Sequence, residues 1–364
     1  MKKILVVGQT PPPYHGQAIS TQRLLDGDYE HIQLYLVRLY FSKEIDEVGK
    51  FKASKVVHLL KVIARIYYYR FRYRIDVLYY MPTGAKWMPL IRDVAILLAT
   101  RWLFRKTVFH FHMAGVNSLF SRLPSMLKPF YRRAYYYPDL SIKLSKHNPT
   151  DDIALKSKQT VVVYNGVEDY YSIHRHLKKN SIVPTILFVG IIQGSKGIYE
   201  LLEIAQRLHT RGIVFELRLV GKTDSVSTDQ KIRAYIQQHR LQHRVKLIGI
   251  KTGEDKWQEY INADVFCFPS HFETFGLVLI EAMQFKLPVV TTRIGGIQSV
   301  VRNEETGYLV PLQNIEAFTK KVEKLLVDNQ LRTTMGDKGR AYFLQNFTVK
   351  HYWQNMEQVL SQEL

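Results

Sequence analysis

Glu273 and Glu281, with seven residues between them, flank a stretch suited to holding a phosphate ester. A strand is expected over 264–269 and a short polar loop after it, with a helix opening at about Phe275-Gly276. Glycine at that point lets a ligand approach bare amides, and a helix N-terminus attracts anions. Glu281, roughly five residues into the helix, stands about 7.5 Å along the axis from those amides. That offset suits a diphosphate on the amides and a ribose whose hydroxyls bond Glu281. Glu273, in the loop, would face whatever hangs from the far phosphate. Taken singly, Glu281 is equally a surface helix residue, and Glu273 a first-turn acid favoured by the helix dipole.

The elements that must position these groups recur twice along the chain. Apolar strand candidates at 3–7, 33–39, 76–81, 107–112, 140–144 and 160–164 alternate with helical segments, the first helix ending near Leu25. The pattern dissolves between Glu168 and Pro184 into a polar, basic stretch that includes His174-Arg175-His176. It restarts with strands at 185–190, 216–221, 245–249, 264–269 and 288–292, and a helix over 196–208. Continuous apolar strands between amphipathic helices predict an α/β protein with parallel sheets covered on both faces. The expected architecture is two Rossmann-like doubly wound domains facing across a cleft, where such folds bind ligands. The first domain is expected over residues 1–170, a linker over 171–184 and the second domain over 185–347. A last helix over 348–364, carrying Tyr352 and Trp353, would pack back on the first domain.

Composition narrows the function classes. With 364 residues, 46% apolar and 23% charged, wholesale disorder is excluded. The single cysteine, Cys267, excludes a disulfide framework and a four-cysteine zinc site. No apolar run approaches the roughly 20 residues of a membrane span. The run Ile4-Leu5-Val6-Val7 stops at Gly8 and a triple proline, too short for an exported signal, so a cytoplasmic location is expected. The net charge of +19 is concentrated: between Phe51 and Tyr137 only Asp76 and Asp93 oppose a long series of lysines and arginines interleaved with tyrosines. Such a surface suits single-stranded nucleic acid, an anionic lipid headgroup layer, or simply water over core tyrosines. No G-x-G-x-x-G, P-loop or G-x-S-x-G motif occurs. Asp26-Gly27-Asp28 falls where a helix ends and reads as turn chemistry, so no metal is assigned.

The pattern E-x-F-G-L-x-x-x-E-A-M over 273–283 resembles the signature of the retaining family 4 glycosyltransferases, which have the GT-B fold. The resemblance extends to Asn165-Gly166-Val167, Pro288-Val289-Val290, Gly295-Gly296 and Thr306-Gly307-Tyr308-Leu309-Val310. It implies that Glu273 contacts the donor sugar, Glu281 the nucleotide ribose, and the backbone of Phe275, Gly276 and Leu277 the diphosphate. Gly190-Ile191-Ile192-Gln193-Gly194-Ser195-Lys196-Gly197 resembles the family's G-R-L-x-x-x-K-G segment, with Lys196 as a diphosphate clamp and Ile191 where the arginine stands. Val108 to Gly115 resembles the strand that delivers a catalytic histidine, which would be His112, with His110 deeper in the core. Gly16 opens the first helix as the family's glycine-rich loop does, His15 standing where a second glycine is usual. Lys286 stands where a glycine commonly ends the signature helix, and Ser299 where an acid follows the Gly-Gly turn.

The resemblance implies metal-independent transfer of a hexose from a UDP- or GDP-linked sugar to a glycan or polyprenyl-linked acceptor in bacterial surface-polysaccharide assembly. The nucleotide sugar is a co-substrate, and no further cofactor is expected. The basic first domain would meet an anionic membrane surface from the inside, and no nucleic-acid partner is expected. A front-face route, in which the leaving phosphate takes the acceptor's proton, would leave His112 to orient the sugar. A sugar-nucleotide epimerase of the same architecture, or a basic nucleic-acid-binding protein, remains as the alternative.

Overall fold

The computed structural model describes residues 1–12, 16–39, 53–174 and 176–364. His15 lies outside the described residues. The chain divides into two compact units, residues 1–165 with 350–364, and residues 166–349.

The first unit holds a six-stranded sheet: β1 Lys2–Gly8, β2 Ile32–Arg38, β3 Val77–Tyr80, β4 Lys106–Phe111, β5 Leu140–Lys143 and β6 Gln159–Val162. Every pairing is parallel, in the order β2-β1-β3-β4-β5-β6. Strand parity divides the core into two layers. Leu5 and Val7 face one cluster with Leu78, Tyr80, Phe109 and Ile96, while Ile4 and Val6 face the other with Tyr79, Val108 and Ile142. The second layer is closed by helix Val349–Gln362, whose Tyr352, Met356 and Leu360 recur every four residues and are buried. Burying each such side chain contributes about 1.5–3 kcal/mol. Trp353 Nε1 donates to Arg23 O at 2.7 Å, and Lys2 Nζ to Ser361 O at 2.8 Å, fixing the helix along its length.

The second unit holds β7 Thr185–Val189, β8 Glu216–Val220, β9 Val245–Gly249, β10 Val265–Phe268, β11 Val289–Thr292 and β12 Gly307–Val310. These too are all parallel, in the order β12-β11-β10-β7-β8-β9. Strand order therefore reverses between β7 and β10. The strand β12 was not among the sequence's strand candidates: it opens on Gly307, a residue type disfavoured in strands.

The expected linker is corrected. Residues 171–184 belong to the second unit, which begins at Gly166. Tyr170 stacks on Trp257 at 4.0 Å, and Arg340 holds Asp169 through two bonds of 2.6 and 2.7 Å. Lys179 Nζ donates to Asp264 at 2.6 Å, and Asn180 N to Asn262 Oδ1 at 2.9 Å. Polar composition there reflects surface anchoring through side chains, which a composition reading takes for a linker.

Candidate functional site

Parallel strands deliver the loops that follow them to one edge of the sheet, and the open crevice lies where strand order reverses. Because β7 and β10 are neighbours at that point, the loops over 190–197 and 269–276 meet. Lys196 Nζ donates to Glu273 Oε1 there, in a largely shielded ion pair. His271 N donates to Ser195 O at 2.9 Å, and Ser270 Oγ to the same carbonyl at 3.3 Å. The His271 ring also reaches Glu200, in the first turn of helix Ile198–Thr210, at 2.6 Å. Glu200 and His271 were absent from the sequence candidates, since no local pattern relates residues 71 apart.

The signature helix runs Leu277–Gln284, with Gly276 at its N-cap in the left-handed region, φ 84° and ψ 69°. A glycine cap brings no side chain over the helix mouth, and the first-turn N–H groups of Leu277 and Val278 have no acceptor within the helix. Phe275 is buried and turns its ring edge-on to Phe347 at 5.9 Å, so it contributes backbone only. The loop is pressed into shape by Gly296. Its N–H donates to Glu273 O at 3.0 Å, and a Cβ on it would sit 1.9 Å from Thr274 O.

Glu281 is buried, and both its oxygens are engaged. Lys256 Nζ donates to it at 2.8 Å, as does the Tyr260 hydroxyl at 2.8 Å. Burial, then the neighbouring Glu281 charge, holds the Tyr260 phenol well above its ordinary range, so it stays a donor. A carboxylate offers about four lone-pair sites, which leaves capacity for further donors. Lys256 and Tyr260 were missed by the sequence reading. Their spacing of four on helix Gly253–Asn262, which puts both on one face, was the available signal. Lys286 adopts φ 61°, so the left-handed turn that ends the signature helix forms without a glycine. Ile191 is 47% exposed, leaving the expected arginine position open to solvent. The adjacent Ile192 N donates to Lys222 O at 2.9 Å, which places an exposed lysine beside that turn.

The structure thus groups Lys196, Glu273, Phe275, Gly276, Leu277 and Glu281 in the second unit. Gly16 and His112 belong to the first. His112 follows β4 and is 7% exposed; burial lowers its imidazole pKa to about 3, so it is neutral at physiological pH. His110, fully buried, lies ring to ring with it at 4.0 Å and bonds the Tyr79 hydroxyl, the environment of a core histidine. Gly16 opens helix Gly16–Leu25 after β1, and among the described residues nothing lies within 4 Å of the position its Cβ would take. That helix is docked by Gln17 Nε2 donating to Met81 O at 3.2 Å.

Within the second unit, a lysine–glutamate pair, uncapped helix amides and a buried carboxylate can supply charge stabilisation and hydroxyl binding. Comparison with known proteins bears on family and fold. Residues 170–342 match the family described as Glycosyl transferases group 1. The chain is 32% identical over 194 residues to the capsular polysaccharide biosynthesis glycosyltransferase CapM of Staphylococcus aureus, covering 53% of this chain and 48% of that one. The chain spans about half the length of the curated relatives it matches. Among solved structures, sucrose-phosphate synthase from Thermosynechococcus elongatus superposes with a TM-score of 0.75 at 21% identity, covering 100% of this chain and 99% of that one. Anabaena HepE in complex with UDP and glucose gives 0.71 at 18% identity, covering 99% and 100%. These likenesses establish the fold: two parallel-sheet units of the GT-B type.

Proposed function

We propose that this protein is a retaining, family 4 glycosyltransferase that moves a hexose from a nucleoside diphosphate sugar to a hydroxyl of a glycan or lipid-linked acceptor in polysaccharide biosynthesis. The observation that carries the reading is the meeting of Lys196, Glu273 and the uncapped helix start at the point where β7 and β10 reverse the strand order. A diphosphate lying on the Leu277 and Val278 amides draws Lys196 toward it. Glu273, released from the lysine, turns its carboxylate to the sugar hydroxyls. Glu281, oriented by Lys256 and Tyr260, accepts from the ribose.

In the transfer, the bond between the anomeric carbon and the phosphate oxygen breaks. The acceptor oxygen bonds the same carbon on the same face, and its proton passes to the leaving diphosphate. Lys196 and the helix amides stabilise the charge that develops there. By the family resemblance His112 would orient the sugar and not act as base; burial keeps its imidazole neutral. The diphosphate charge is met by these protein groups, so turnover is expected to be indifferent to added Mg²⁺.

CapM's role in capsule biosynthesis and the UDP in HepE make UDP-sugars the first donors to examine. The protein is expected to show a raised melting temperature with a matching nucleoside diphosphate, through linkage. Lys196→Ala should abolish the shift, and Glu281→Gln should diminish it. A shift undiminished in both variants refutes the assignment, as does epimerised sugar nucleotide formed without acceptor.

A further inference from the structure

His174, His176 and Glu254, all in the second unit and apart from the Lys196–Glu273 group in the sequence, converge so that their ligand atoms lie within 4.8 Å of one another. Glu254 Oε1 is 3.4 Å from His174 Nδ1 and 3.5 Å from His176 Nε2. Both separations exceed the 2.7–3.2 Å of a good N–H···O bond. They equal the edge of a tetrahedron around a zinc ion, about 3.3–3.5 Å for metal–ligand bonds of about 2.0–2.1 Å. His174 Nδ1 is itself buried and makes no hydrogen bond among the described residues. Its ring is fixed by stacking at 6.4 Å on Tyr170, which in turn stacks on Trp257.

We infer that these three side chains form a tetrahedral site for a zinc-class divalent ion, with water in the fourth position. Two imidazole nitrogens and one carboxylate are a donor set that favours Zn²⁺ over the oxygen-seeking Mg²⁺ and Ca²⁺. The two histidines follow the helical turn Tyr170–Ile173, and Glu254 stands in the first turn of helix Gly253–Asn262. An ion there staples the opening segment of the second unit to the helix whose Lys256 and Tyr260 hold Glu281. The site stands on its own geometry, whatever sugar or acceptor the protein uses.

The test is direct metal binding by the full chain after chelation and gel filtration. One equivalent of Zn²⁺ per chain is expected, and Co²⁺ should give the intense visible bands of tetrahedral coordination. His176→Ala and Glu254→Gln, both at largely exposed side chains, should each abolish that spectrum and the bound equivalent while leaving the chelated protein's melting temperature unchanged. Zinc binding retained in both variants, a six-coordinate Co²⁺ spectrum, or a wild-type chain that holds no zinc each overturns the site and leaves only a histidine–glutamate ion pair. None of these readouts depends on glycosyl transfer, so failure of one proposal is distinguishable from failure of the other.

Discussion

A lysine paired with a glutamate is a stored charge: an arriving diphosphate gains the ammonium, and the carboxylate it leaves becomes free for hydroxyls. In the proposed reading that exchange would fall to Lys196 and Glu273, since the second cation expected at 191 is an isoleucine. Its 47% exposure means that a longer, charged side chain fits without repacking. Ile191→Arg is therefore expected to tighten nucleoside diphosphate binding a few-fold to tenfold, the worth of about one charge-assisted hydrogen bond discounted for solvent. Isothermal titration of the variant measures it, and equal or weaker binding would show that the diphosphate does not pass position 191. The neighbouring Lys222 gives a second check, since its removal should weaken binding if it supplies the missing charge.

At the scale of elements, the site is shaped by backbone approach as much as by side chains. The turn before Ile297–Val300 presses Gly296 onto the Thr274–Phe275 peptide, so that a Cβ would sit 1.9 Å from Thr274 O. Gly296→Ala must push the loop off the helix mouth. We expect it to lower stability by about 1–3 kcal/mol, as overpacked sites do, and to lose nucleotide binding beyond that. Urea midpoints and the nucleotide-induced melting shift separate the two effects; a variant indistinguishable from wild type in both would show that the loop relaxes freely. Lys286 marks the opposite case. Its φ of 61° shows that the ending turn is imposed by the packing around it and not by residue choice.

Over the whole molecule, charge is distributed unevenly. Residues 51–137 hold sixteen lysines and arginines against two aspartates, +14 of the chain's +19. Helix Ala53–Arg72 there exposes Val57, Leu60, Tyr68 and Phe71, which recur at helical spacing beside Lys61, Arg65 and Arg72. An amphipathic helix with cations bordering its apolar stripe suits the interface of an anionic bilayer. No described helix is long and apolar enough to cross one. Flotation with anionic liposomes should therefore carry the protein at low salt, less at high salt. The double variant Leu60→Glu with Phe71→Glu should stay in the soluble fraction; flotation unaffected by those charges would remove this surface from consideration.

The sequence by itself determined the two runs of alternating strands and helices, the helix end between Glu273 and Glu281, and the last helix with its buried tyrosine. Each of these is written in local periodicity or in turn chemistry within one stretch of chain. Tertiary structure decided what strand order alone can bring together: Lys196 against Glu273, Lys256 and Tyr260 on Glu281, His271 on Glu200, and the two histidines beside Glu254. It also decided that 171–184 is anchored to the second unit. Side chains tens of residues apart share no period, so their meeting is fixed only when parallel strands with crossover helices place their loops at a common edge.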